Sequence, residues 1–196
     1  VIMKKFTSAA AWIFLSLALS TQAQTNNESL GLPGDNFDLY GALDLFKDSR
    51  NAESFERSLN SQDSKINNLD LNADGRVDYV KVVDRSTGDT KILILQDVIS
   101  ENESQDIAVI EMEKRGDGIA NLQIVGDEAL YGKDYIIVPE EETQNTVYTN
   151  KVRRTNVYIN VWTWPGVSWV YGPTYTVWVS PFYWTAYPTW WSPWSP

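Results

Sequence analysis

The sequence contains no cysteine and no histidine in 196 residues. Without cysteine there are no disulfides, no thiol chemistry and no acylated lipoprotein cysteine. Without histidine, serine–histidine and cysteine–histidine catalysis, histidine-ligated zinc and a histidine pH switch are all excluded. Basic residues are scarce as well: 16 Lys and Arg stand against 26 Asp and Glu, a formal net charge of −10. A chain this acidic has no electrostatic footprint for nucleic acid or anionic lipid, and attracts divalent cations instead. Long apolar runs are missing too. The run Ala9 to Leu19 is too short to span a bilayer.

That run lies in a segment with the layout of a secretory signal. Lys4 and Lys5 precede it and Thr21-Gln22-Ala23 follows as a small-residue cleavage site, so residues 1–23 are predicted to be removed. The remaining chain has 14 basic and 26 acidic residues, a net charge of −12, and no membrane-spanning segment. An exported chain without cysteine fits a bacterial periplasm or cell surface better than a disulfide-stapled secreted domain.

What the sequence does have is oxygen at regular spacing. From Asn68 to Tyr79, side-chain oxygens recur at alternate positions, Asp70, Asn72, Asp74 and then Asp78, with Gly75 directly after the third. Calcium takes six to eight oxygens at about 2.3–2.6 Å, and a loop curling around it turns alternate side chains inward. Gly75 allows the sharp turn that closes such a loop. The pattern resembles the Asp-x-Asn-x-Asp-Gly-x-x-Asp calcium loops of EF-hand-like and integrin-type propeller repeats. That resemblance implies Asp70, Asn72 and Asp74 as the first three ligands, the backbone carbonyl of Arg76 as the next, and Asp78 as a direct or water-mediated one. At the twelfth position, where an EF-hand places a bidentate glutamate, the chain has Lys81. The stretch Tyr79–Val83 reads as a strand, not as an exiting helix, so the missing ligand comes from elsewhere or from water. A turn rich in Asp, Asn and Gly that binds nothing is the plainer alternative.

Around this loop the pattern predicts an α+β domain over 28–139, with two N-terminal helices packed on an antiparallel β-meander. Asp35 is placed to cap a helix over Phe37 to Lys47, with Leu39, Leu43 and Phe46 on one stripe. A second helix starts near Asn51 and turns Phe55 and Leu59 inward. Strands follow at Tyr79–Asp84, Ile92–Leu95, Ile107–Lys114, Asn121–Ile124 and Tyr135–Val138. The run Ile92–Leu95 is continuously apolar, as in a strand covered on both faces. The stretch Ile107–Lys114 alternates, with Ala108, Ile110 and Met112 on one side.

Residues 140–154 form a polar linker, and from 155 to 196 there is no charged residue at all. Eight tryptophans lie there: Trp162, Trp164, Trp169, Trp178, Trp184, Trp190, Trp191 and Trp194. Six prolines are interleaved with them, three at eight-residue spacing, Pro165, Pro173 and Pro181, which excludes a long helix. Rings on short hairpins or extended segments suit stacking on sugars, a membrane interface or docking on a protein. A cell-envelope component, a carbohydrate or a protein is therefore the expected partner of the tail, the eight tryptophans being its contact residues. The alternative is a tail that folds back over its own sheet. The whole layout, with the opening Leu30–Tyr40, the calcium-type loop, Val125-Gly126-Asp127-Glu128 and the Trp/Pro tail, resembles a group of uncharacterised bacterial secreted proteins.

The leading expectation is an exported, non-enzymatic module with structural Ca2+ at 70–78. Carbohydrate or cell-wall binding by the tail is the second reading. A carboxylate-based hydrolase using Glu111, Glu113, Asp127 or Glu128 is a distant third, because no pair is singled out by spacing.

Overall fold

A computed structural model of the chain describes residues 29–139 and 159–196. The predicted signal segment 1–23 and the linker 140–154 lie outside the described residues. The structure is mixed α+β and mostly β. After a 3-10 turn at Pro33–Asn36 come α1 (Leu39–Asp48), α2 (Ala52–Leu59), β1 (Val80–Asp84), β2 (Thr90–Ser100), β3 (Glu103–Gly116) and β4 (Ile119–Gly126). Then follow α3 (Glu128–Tyr131), β5 (Ile136–Ile137) and α4 (Pro165–Val170).

The helices start where side chains can take up free backbone N–H groups. Asp38 caps α1, accepting from the N–H groups of Tyr40 and Gly41 at 3.0 Å each. Asp35, the expected cap, instead accepts from Ser29 Oγ (2.6 Å) and the Leu30 and Gly31 N–H groups, closing the turn before the helix. The second helix starts next to Asn51 as expected, and Asn51 caps it by accepting from Ser54 N–H at 2.7 Å. The strands form one antiparallel meander in the order β1-β2-β3-β4-β5. Val80, Val82, Leu93, Leu95, Ile110, Met112, Leu122 and Ile124 all point to one face, where Leu43, Phe46, Phe55 and Leu59 of the helices cover them. Each such side chain contributes about 1.5–3 kcal/mol of hydrophobic burial.

Three expectations need correction. Ile92 and Ile94 are only half-buried, so β2 is covered on one face and not on both. Four α-helices are present among the described residues, and not all lie at the N-terminus. The third forms inside the Gly126–Asp134 connection, where Asp127 caps it by accepting from Ala129 N–H at 2.9 Å. The fourth begins on Pro165, whose fixed φ suits a first helical position. Lastly, residues 159–196 do not trail behind the domain but share its core, as the fold-back alternative requires. Val161, Val167 and Val170 belong to the same buried cluster as the helices and strands. A Cβ on Gly166 would collide with the Phe46 carbonyl, so α4 sits against α1 at a distance only glycine permits.

This segment also covers both edges of the sheet. At one side Val161 N–H donates to Ala120 O (3.0 Å), and Ala120 N–H to Asn160 Oδ1 (3.1 Å), beside the short β5. At the other, Asp84 N–H donates to Trp178 O (2.9 Å) and Ser180 N–H to Val82 O (3.2 Å), along β1. Bare edges are templates for aggregation, and here the aromatic segment pairs them off.

Candidate metal centre

The loop between α2 and β1 is anchored by what it buries at each end. Leu69 is fully buried where it begins, and Val77 and Tyr79 where it leaves. Asn67 holds the two ends together: its side chain accepts from Leu69 N–H (3.0 Å) and donates to Asp78 O (2.9 Å). Between these anchors the chain curls. Asp70 accepts from the N–H groups of Asp74 (3.0 Å) and Gly75 (2.9 Å), one on each carboxylate oxygen. Asn72 Oδ1 also accepts from Asp74 N–H at 2.9 Å, and Asp74 Oδ1 from Arg76 N–H at 2.9 Å. Across the loop, Asn72 Nδ2 donates to Asp78 Oδ1 (3.0 Å), while Asp78 Oδ2 takes Leu71 N–H (2.6 Å). Gly75 has φ +79°, the left-handed turn expected of it, and Ala73 has φ +58°.

The loop therefore brings Asp70, Asn72 and Asp78 to its inside. Asp74 and Arg76 are exposed on its outer turn. Among the described residues, no three acidic side chains stand gathered as a ready-made metal cage. The donor set itself fits a hard cation: it is all oxygen, with no sulfur or imidazole in competition. Burial pushes the Asp78 carboxyl above the usual aspartate range.

One residue at this site has no counterpart in the loop pattern. Asp97, on β2, stands opposite Val80 of β1 and continues the inward-facing series Leu93, Leu95. Its exposure is 0%, and neither carboxylate oxygen has a hydrogen-bond partner. It lies against the Asp78 carboxyl, and burial together with the Asp78 charge pushes it up to about 8. The strand expected from the apolar run Ile92–Leu95 stops short of it, whereas β2 runs on to Ser100. The available signal was a lone carboxylate at the next inward position of a central strand. Lys81, at the position of the absent glutamate, pairs with Gln96 on the opposite face and cannot neutralise it.

The aromatic segment closes over the same region. Tyr79, next to Asp78, is ringed by Phe182, Tyr187, Trp190 and Trp191 at 5.1–6.3 Å between ring centroids. Val77 N–H donates to Trp194 O (2.8 Å), and Trp194 Nε1 to Asn68 Oδ1 (3.2 Å). The Tyr79 hydroxyl donates to Glu56 Oε1 (2.8 Å), which also receives Ser180 Oγ at 2.8 Å. The other oxygen of Glu56 accepts from Val82 N–H (2.7 Å) and, at 3.4 Å, from Trp178 Nε1. One buried carboxylate on α2 thus ties the helix, the first strand and the aromatic segment together.

The tryptophans are divided in their exposure. Trp191 is buried, Trp190 is 37% exposed under the Arg57 guanidinium, and Trp162, Trp164, Trp169, Trp178, Trp184 and Trp194 are half-buried. Trp190, Trp191 and Trp194 line a groove of about 520 Å³ with Arg57, Ser58 and Gln62. Of the carboxylates considered for hydrolysis, Glu111 accepts from Gln123 (2.6 Å), Glu113 pairs with Arg115 (2.8 Å), Asp127 caps α3 and Glu128 lies in its first turn. No helix among the described residues is long and apolar enough to cross a membrane. Comparison with protein-family models, with curated proteins and with solved structures found no match for the chain.

Proposed function

We propose that the chain is an exported, non-enzymatic calcium-binding module in which the ion orders the loop 70–78 and, through it, the docked aromatic segment. The observation that carries this reading is the curl of the loop. Asp70 gathers the Asp74 and Gly75 N–H groups while the Asn72 amide meets the Asp78 carboxylate across the interior, so the loop already curls around the side chains the calcium pattern names. The signal-like segment 1–23 supports export, and the acidic balance supports a cation as ligand. Ligands from the loop alone imply weak binding, about 10⁻⁴ to 10⁻³ M, as in extracellular modules. Calorimetric titration of the full chain with calcium tests this, with Asp70→Ala and Asp74→Ala alongside. Heat of binding in the parent that vanishes in Asp70→Ala and weakens in Asp74→Ala is the expected result, and no binding by the parent at millimolar calcium refutes it.

A second reading is carbohydrate or cell-wall binding. It is favoured by the groove that Trp190 and Trp194 line together with the polar side chains of Gln62 and Ser58. Quenching of tryptophan fluorescence by envelope polysaccharides, weakened in Trp190→Ala, is the expected outcome. Unchanged emission on adding polysaccharide argues against it.

A further inference from the structure

We propose that Asp97 of β2 completes the calcium site, supplying the carboxylate that the loop pattern lacks at its twelfth position. The inference rests on the calcium reading above and names the remaining protein ligand. In a helix–loop–helix site the last ligand comes from the helix that follows the loop. Here a strand follows, and Lys81 occupies the corresponding place. The partner strand brings a carboxylate to the same end of the sheet: Asp97 stands directly across from Val80, two residues beyond Asp78.

Burial makes the case sharper. Unpaired buried carboxylates are costly, and buried charges in folded proteins are almost always paired or bound to metal. Asp97 is wholly buried, neither of its oxygens makes a hydrogen bond of good geometry, and the charge that acts on it most is the like-charged Asp78. An inward position after Leu93 and Leu95 would ordinarily hold a third aliphatic residue. Two groups can resolve the contact between Asp78 and Asp97: a shared proton or a cation. A cation held there would also be attracted by the nearby Asp70 carboxylate, whose charge acts on the same pair, which a proton cannot exploit.

The chemistry then narrows the ion. Asp70, Asp78 and Asp97 carry three carboxylates to this region, and they come from two separate elements of the fold, the loop and β2. Such a site is rich in carboxylates and buried on its sheet side, where Asp97 is 0% exposed. Calcium or a trivalent lanthanide accepts that arrangement, whereas magnesium demands a small octahedron and retains its waters. The ion would staple the loop to β2.

The test uses the full chain, with calcium, magnesium and europium(III) as probes. Calorimetry compares the parent with Asp97→Asn and Asp97→Ala, the second serving should the first not fold. Calcium affinity is expected to fall about tenfold or more in either variant, since affinity follows ligand charge count. In chelator Asp97→Asn should melt no lower than the parent, because the amide keeps the volume without the cost of a buried ionisable carboxyl, so the lost affinity is not a folding defect. Europium luminescence lifetimes in H2O and D2O should count at least one more bound water in the variant than in the parent. Should the parent bind calcium and Asp97→Asn bind it equally, with the same number of waters, Asp97 is no ligand while the loop site stands. Should the parent not bind calcium at all, both readings fall. Magnesium binding as tight as calcium overturns the assigned ion size.

Discussion

Single side chains carry much of the account. Glu56 is 1% exposed and accepts four hydrogen bonds, from Tyr79, Val82, Ser180 and Trp178. Replacing it by alanine strands those donors in the interior, with an expected loss of about 3–5 kcal/mol in urea unfolding. Its pH behaviour has a definite sign. Burial raises its carboxyl above the ordinary 4.5, more than the donors lower it. The folded state therefore holds the proton more tightly than the unfolded state does. That contribution to stability is complete below about 4.5 and is lost as pH rises through the raised value. Urea midpoints measured in chelator between about pH 4 and about pH 7 should fall less steeply in Glu56→Gln than in the parent. Equal slopes refute the assignment. Neither Glu56 nor Asp97 was legible as a special residue in the sequence. A carboxylate on an amphipathic helix reads as solvent-facing, and only the tertiary contact with Tyr79 and Ser180 reverses that.

At the scale of elements, the two N-terminal helices and the meander were readable because apolar spacing at three to four and at two residues dictates them. The loop was readable for a different reason, the regular recurrence of oxygens. The aromatic segment was the least legible part. Forty-two uncharged residues rich in Trp and Pro have no helical or strand period over most of their length, and what they cover depends on the sheet edges they meet. Its packing is close enough to be tested by one atom. Gly166→Ala places a Cβ on the Phe46 carbonyl and should lower stability by about 1–3 kcal/mol, read as a fall in urea midpoint. Removing 155–196 strips the partners of Val82, Asp84 and Ala120 and exposes the apolar face under Val161, Val167 and Val170. The shortened chain should lose its cooperative melt and associate in sedimentation experiments. A monomer that melts as sharply as the full chain would show the segment to be dispensable for folding.

At the scale of the whole molecule, the candidate metal loop and the aromatic segment are one mechanical unit. Tyr79 follows Asp78 directly and is enclosed by four rings of the segment, and Val77 is hydrogen-bonded to Trp194. An ion that orders the loop consequently orders the docked segment as well. Protease cleavage within 182–194 should slow when calcium is added, and should be indifferent to calcium in Asp70→Ala. Binding to the folded state alone adds about 1–2 kcal/mol at ten times the dissociation constant. The most direct measurement is the thermal midpoint of the full chain, followed by tryptophan emission, in chelator and in millimolar calcium. A rise of a few degrees with calcium, absent in Asp70→Ala, is the expected result. Identical midpoints in chelator and in calcium contradict the metal site.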